Sequence, residues 1–156
     1  MHHISPLLSD ACRICNSDRE TLDHLFWECT EVRHFWGRVF QLLQLLAPGC
    51  QVPGPELVHI VNPFSILPKA TFPVVVSIYG TALWSLWKMY LGMVFEGRIF
   101  SSVALNEQFA FSVTSHIQLL FSVACKKKKL ASFKKLWCRS HCINICGSKV
   151  SLDISL

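Results

Sequence analysis

The stretch Cys12-Arg13-Ile14-Cys15, followed by Asp23-His24-Leu25-Phe26-Trp27-Glu28-Cys29, sets three thiols and one imidazole in the order C-x2-C-x8-H-x4-C. Such a donor set suits tetrahedral zinc, which takes thiolate and imidazole ligands and makes no redox demand on them. The two-residue gap lets a tight turn bring both sulfurs to one ion, while the segment carrying the other two ligands folds back as a helix. Two plainer readings use the same residues: reduced cysteines in a small core with His24 and Cys29 nearby, or a disulfide. A unit of about 40 residues with few apolar side chains needs a staple to fold, which makes one structural zinc ion on Cys12, Cys15, His24 and Cys29 the expectation. His34 is the other imidazole near Cys29, but it lies beside Phe35, Trp36 and Val39, which must face a core, so it is expected to point to solvent.

The ligands sit in an aromatic text, His24-Leu25-Phe26-Trp27-Glu28-Cys29 and then His34-Phe35-Trp36. In this the chain resembles the zinc-binding domain in the C-terminal part of non-LTR (LINE-type) retrotransposon reverse transcriptases, whose pattern is a CxxC, a His-Leu-Phe followed by Cys, and a Trp seven residues later. A second patch, Leu83-Trp84-Ser85-Leu86-Trp87-Lys88 with Val94-Phe95-Glu96-Gly97, is similar to a segment that often follows this module, although Tyr90-Leu91 stands where the family tends to carry Arg-Asn. The resemblance covers residues 10 to about 100. It implies a domain that helps hold template RNA or target DNA near a polymerase active site.

Net charge is +5, unevenly placed: residues 1–50 carry six acids against four Arg, and the remainder four acids against eleven basic residues. Eight cysteines would suggest a disulfide framework in a shorter secreted chain. Met1-His2-His3-Ile4-Ser5-Pro6 has neither a basic start nor a long apolar run, so the expected compartment is intracellular and reducing, nucleus or cytoplasm.

Along the chain, Ser5 to Asp10 reads as an irregular lead. Ser17 and Glu20 have capping-box spacing before a short helix that carries His24, and Thr30 can cap a second helix through Val32, Phe35, Trp36, Val39, Phe40, Leu43 and Leu46. Pro48-Gly49 stops it. Pro48, Pro53, Pro55, Pro63, Pro68 and Pro73 exclude long helices and central strands between them, which marks a linker over 48–73. Cys50 and His59 inside it have no partner at ligand spacing and receive no role.

The stretch 72–95 is apolar with Lys88 as its only charge before Phe95, but the uninterrupted run ends at Trp87, short of the roughly 20 residues a spanning helix needs. Ser77, Thr81, Ser85, Lys88 and Gly92 recur at steps of three and four, which predicts an amphipathic, buried helix; a membrane-associated helical protein remains the rival reading for this stretch. A further helix from about Val103 to Cys125 presents Leu105, Phe109, Val113, Ile117, Leu120 and Phe121, a face able to cover the Trp84 and Trp87 helix. His116 is expected at the surface. No period-two alternation lasts more than a few residues.

In the tail, Lys126, Lys127, Lys128, Lys129, Lys134, Lys135 and Arg139 alternate with Leu130, Phe133, Leu136 and Trp137 and give a basic amphipathic segment. A solvated charge run, a sequence-tolerant contact with nucleic-acid phosphates, and an acidic membrane surface or nuclear import signal all fit it. Cys138, His141, Cys142 and Cys146 have helical spacing but no returning element to complete a tetrahedron, so no second zinc is expected.

Ten scattered acids contain no aromatic-x-Asp-Asp pair for polymerase metals and no nuclease carboxylate cluster. There is no nucleophile elbow or Gly-rich phosphate loop, and a four-ligand zinc leaves no open position for water. The expectation is a mainly α chain: a zinc-stapled module over 1–47, the Pro-rich linker 48–73, a few packed helices over 74–124, and a disordered or poorly defined basic tail over 125–156. Its expected role is non-catalytic, with zinc as cofactor, RNA or DNA as partner, no small-molecule substrate and no membrane. The alternative is a protein-interaction module in which zinc only staples the fold and Trp84 and Trp87 meet a partner.

Overall fold

The computed structural model describes residues 11–17, 19–48, 69–139 and 142–153. The lead Ser5 to Asp10, Cys50, His59, His141 and most of the expected linker lie outside them. The described chain is mainly α. A wide π-type turn, His24–Glu28, leads into α1 (Thr30–Leu46); then come α2 (Phe72–Glu96), α3 (Ser102–Lys126), α4 (Leu130–Trp137) and a hairpin of β1 (Ile143–Cys146) and β2 (Lys149–Leu152).

The apolar rows expected from helical spacing are the ones that meet. On α1 Val32, Phe35, Trp36, Val39, Leu43 and Leu46 are buried, and on α3 Leu105, Phe109, Val113, Ile117 and Phe121 are. Val74, Val75, Ile78, Ala82 and Leu86 of α2 join them in one continuous core that also takes in Phe133, Trp137, Ile143 and Val150. α1 therefore shares its core with α2 and α3, where the sequence reading separates a module from a helical segment.

The stripe Ser77, Thr81, Ser85 and Gly92 is not a solvent face. Ser85 is fully buried and Gly92 is buried, while Lys88 alone of the stripe is exposed. Burial is tolerated because the hydroxyls serve the helix's own carbonyls: Thr81 Oγ1 donates to Ser77 O at 2.7 Å and Ser85 Oγ to Thr81 O at 2.9 Å. Gly92 lets Arg98 fold against the helix, its Cδ standing 3.0 Å from where a Cβ would be. α3 covers the helix that carries Trp84 and Trp87, as its apolar face predicts, but leaves the two rings outward: Trp84 remains 57% exposed and Trp87 36%. His116 is half-buried, its Nε2 3.3 Å from Ser77 Oγ on α2.

Pro73 belongs to α2, whose first turn has no use for its missing N–H. Gly97 ends that helix with φ +66°, and Ser101 Oγ starts α3 by accepting from Ala104 N at 3.2 Å. Among the described residues one helix, α3 rather than α2, is long and apolar enough to cross a membrane by length and composition, and 28% of that stretch is buried inside the protein.

The described residues of the tail form α4 and the hairpin, where the composition predicts a poorly defined segment. Cys146-Gly147-Ser148-Lys149 closes a two-residue turn with φ +60° at Gly147, and Ile143 pairs Leu152 in antiparallel register. Gln118 of α3 straps the hairpin down, donating to Ser148 O at 2.9 Å and accepting from Val150 N at 2.7 Å.

Candidate metal centre

The loop before the π turn is built to bring thiols together. Ala11 and Arg19 form an isolated antiparallel bridge, and Asn16, in the left-handed region at φ 58°, turns the chain so that its N–H donates to Cys12 O at 2.7 Å. The expected Ser17–Glu20 capping box does not form. Ser17 Oγ donates to Cys15 Sγ at 3.2 Å instead, and Thr21 is the cap, its Oγ1 accepting from His24 N at 3.0 Å. Cys29 N bonds back five residues to His24 O at 2.8 Å, the widened turn that sets His24 and Cys29 on one side. Cys29, not Thr30, occupies the cap position of α1.

The ligand-type atoms of Cys12, Cys15, His24 and Cys29 all lie within 4.8 Å of one another. Cys15 Sγ is 3.3 Å from His24 Nε2, and Ile14 N donates to Cys12 Sγ at 3.4 Å. Cys12, His24 and Cys29 are buried, and Cys15 is half-buried. Zinc holds thiolate at ~2.3 Å and imidazole at ~2.0–2.1 Å, so donors around one ion stand about 3.5–3.8 Å apart. The cluster is within a small contraction of that, and its donor chemistry fits. The four residues can hold a metal ion. His34 is exposed on α1 and takes no part.

Burial also sets the electrostatics. It pushes the Cys29 thiol up to about 12, opposed by the Val32 and Glu31 N–H groups at the start of α1. The Cys12 thiol is raised chiefly by burial as well. Both are thus protonated without a metal, and a cation has to displace those protons.

Aromatic rings brace the site. Trp36 Nε1 donates to Phe26 O at 2.6 Å inside the π turn, and the Trp27 ring stacks on Trp36 at 4.4 Å and on Tyr79 of α2 at 5.8 Å. Phe26 stacks on Trp87 at 6.5 Å. Beside His24 an open cleft of about 420 Å³ is lined by Arg19, Thr21, Glu28 and Arg33. The two arginines were hidden in a segment whose charge sums to mildly acidic; their convergence depends on the loop and α1 packing together.

The basic residues split differently. Lys126 ends α3, Lys127 follows it, Lys129 caps α4, Lys134 and Lys135 lie in the last turn of α4, and all of these together with Lys128 and Arg139 are exposed. The start of α3 lines a cleft with Arg13 and Asn16 of the metal loop. Lys126 is 24 residues further along the helix, so the basic segment stands roughly 36 Å from the metal end. Cys138, Cys142 and Cys146 join no cluster of three or more metal-ligating groups among the described residues. Compared with protein-family models, with curated proteins and with solved structures, the chain matches none.

Proposed function

We propose that Cys12, Cys15, His24 and Cys29 hold one structural zinc ion and that the chain is a non-catalytic binding module, akin to the zinc-binding part of a LINE-type reverse transcriptase, that contacts nucleic-acid phosphates. The convergence of the four donors within 4.8 Å carries the zinc half of this reading. Zinc supplies fixed tetrahedral geometry there and a positive charge that keeps the three thiols ionised. With all four positions taken by protein, no site is left for substrate water. The nucleic-acid half rests on the sequence resemblance and on two groups of cations: Arg19 and Arg33 at the cleft beside His24, and Lys126, Lys128, Lys134 and Lys135 at the far end of α3. Such contacts read the backbone and not the bases.

The test is a salt series of RNA and duplex DNA binding by the zinc-loaded chain. Phosphate contacts predict a log–log slope that flattens by about one unit for each cation replaced by Gln. Absence of salt-dependent binding would remove the nucleic-acid half and leave the zinc half standing. Exposure of Trp84 at 57% favours a protein-interaction surface as the second reading. Binding that persists at high salt and is lost in Trp84→Ala would select it.

A further inference from the structure

We propose that the pocket where α2, α3 and α4 meet binds an amphipathic anion, a carboxylate or phosphate carried on a medium-length acyl chain. The pocket is an open groove of about 300 Å³, the lower end of the range that ligand pockets occupy. Its walls are apolar: Pro73 from α2, Leu120 and Val123 from α3, and Phe133, Leu136 and Trp137 from α4. Among the described residues the only charged ones lining it are Lys127 and Lys129, and no carboxylate does.

The local backbone explains this alternation. Lys127 is the residue after α3, Lys129 precedes α4, and Lys128 between them adopts φ +56°, so the tight corner sends alternate lysines to the same groove. Neither ammonium has an ion-pair partner among the described residues. Ser132 and Ser77, the latter 3.3 Å from His116 Nε2, add neutral hydrogen-bonding groups. Apolar walls give a small inorganic anion nothing to bury against, and paired cations give a neutral hydrocarbon no advantage. An apolar tail with one anionic head satisfies both. This site shares no residue with the metal centre and stands whether or not the zinc reading does.

The experiment titrates the full zinc-loaded chain with octanoate, decanoate and decanol below their micelle thresholds, following Trp137 fluorescence with Trp137→Phe as the assignment control. Decanoate should bind about tenfold more tightly than decanol, and about tenfold more weakly to the double variant Lys127→Gln, Lys129→Gln, whose exposed positions leave folding intact. Two added methylenes should tighten decanoate over octanoate by roughly tenfold. Ala124→Phe, on the lining, should weaken acid and alcohol together. A parallel arm uses phosphatidylcholine vesicles with and without phosphatidylserine: vesicle binding competed by decanoate assigns the anion to a lipid, and decanoate binding without vesicle binding assigns it to a free acid. Equal affinity for decanol and decanoate, undiminished decanoate binding in the double lysine variant, or no binding of decanoate at all overturns the proposal.

Discussion

The Tyr90 hydroxyl donates to Glu20 Oε1 at 2.7 Å, joining the metal loop to α2 across 70 residues of sequence. The same carboxylate accepts from Arg13 N at 3.0 Å through Oε2, so one side chain holds the first thiol turn and the helical core together. Burial raises the Glu20 carboxyl, but the bonds from Tyr90 and Arg13 outweigh it and its pKa is lowered. The Tyr90 phenol is raised, chiefly by its bond to Glu20.

A depressed carboxyl contributes stability above its unfolded pKa that is lost as pH falls through the folded value. A raised phenol contributes below its unfolded pKa and loses that as pH rises through the folded value. The tie is therefore complete between the ordinary values of a carboxyl, 4.5, and a phenol, 10.0, and fails at both extremes. Tyr90→Phe should cost about 1 kcal/mol at neutral pH after screening at a partly exposed site, and the difference from the original chain should shrink as pH falls through the lowered Glu20 pKa. Urea unfolding across pH reads it.

Chelation should act locally. The 11–29 loop has few core side chains of its own, whereas α1, α2 and α3 share a continuous apolar interior. Hydrogen exchange after removal of zinc is expected to show loss of protection at Asn16 and Cys29, with the α2 and α3 amides retained. Uniform loss across all helices would mean that the metal organises the entire core, and no change would mean that it organises nothing.

Trp36 braces the loop of thiols from α1. Trp36→Phe removes the donor to Phe26 O and part of the stack on Trp27, which should cost about 2–4 kcal/mol and hasten zinc release to a competing chelator. Phe35→Leu, on the same helix but facing Phe109 of α3, should lower stability while changing zinc release far less.

Much of this was legible in the sequence because the signals were local and periodic. Cys12, Cys15, His24 and Cys29 fall in one short segment, and the α1 and α3 stripes each lie within one helix. The stripe through Ser85 reads as the polar side of an amphipathic helix, because a hydroxyl that bonds its own helix is indistinguishable in sequence from one facing water. The hairpin was missed although Gly147-Ser148 between Ile145 and Val150 is a two-residue turn signal; four-residue strands are too short for alternation to stand out. The Arg19–Arg33 cleft and the Lys127–Lys129 pocket depend on tertiary packing, which charge counts along the chain do not contain.

Zinc loading should release the protons that burial keeps on Cys12 and Cys29, so apparent affinity should rise with pH across the neutral range. Calorimetry in two buffers of different ionisation enthalpy gives the proton count directly. A pH-independent affinity with no proton release would require that these thiols are not ligands.

The most direct measurement is X-ray absorption at the zinc edge of the loaded chain, set beside a competition titration of His24→Ala and His34→Ala. The account predicts one zinc per chain, with a first shell of three sulfurs at ~2.3 Å and one nitrogen at ~2.0–2.1 Å. Tight binding should be lost in His24→Ala and kept within a few-fold in His34→Ala. A shell of four sulfurs, a shell rich in oxygen, or loss of binding in His34→Ala but not in His24→Ala would contradict the site.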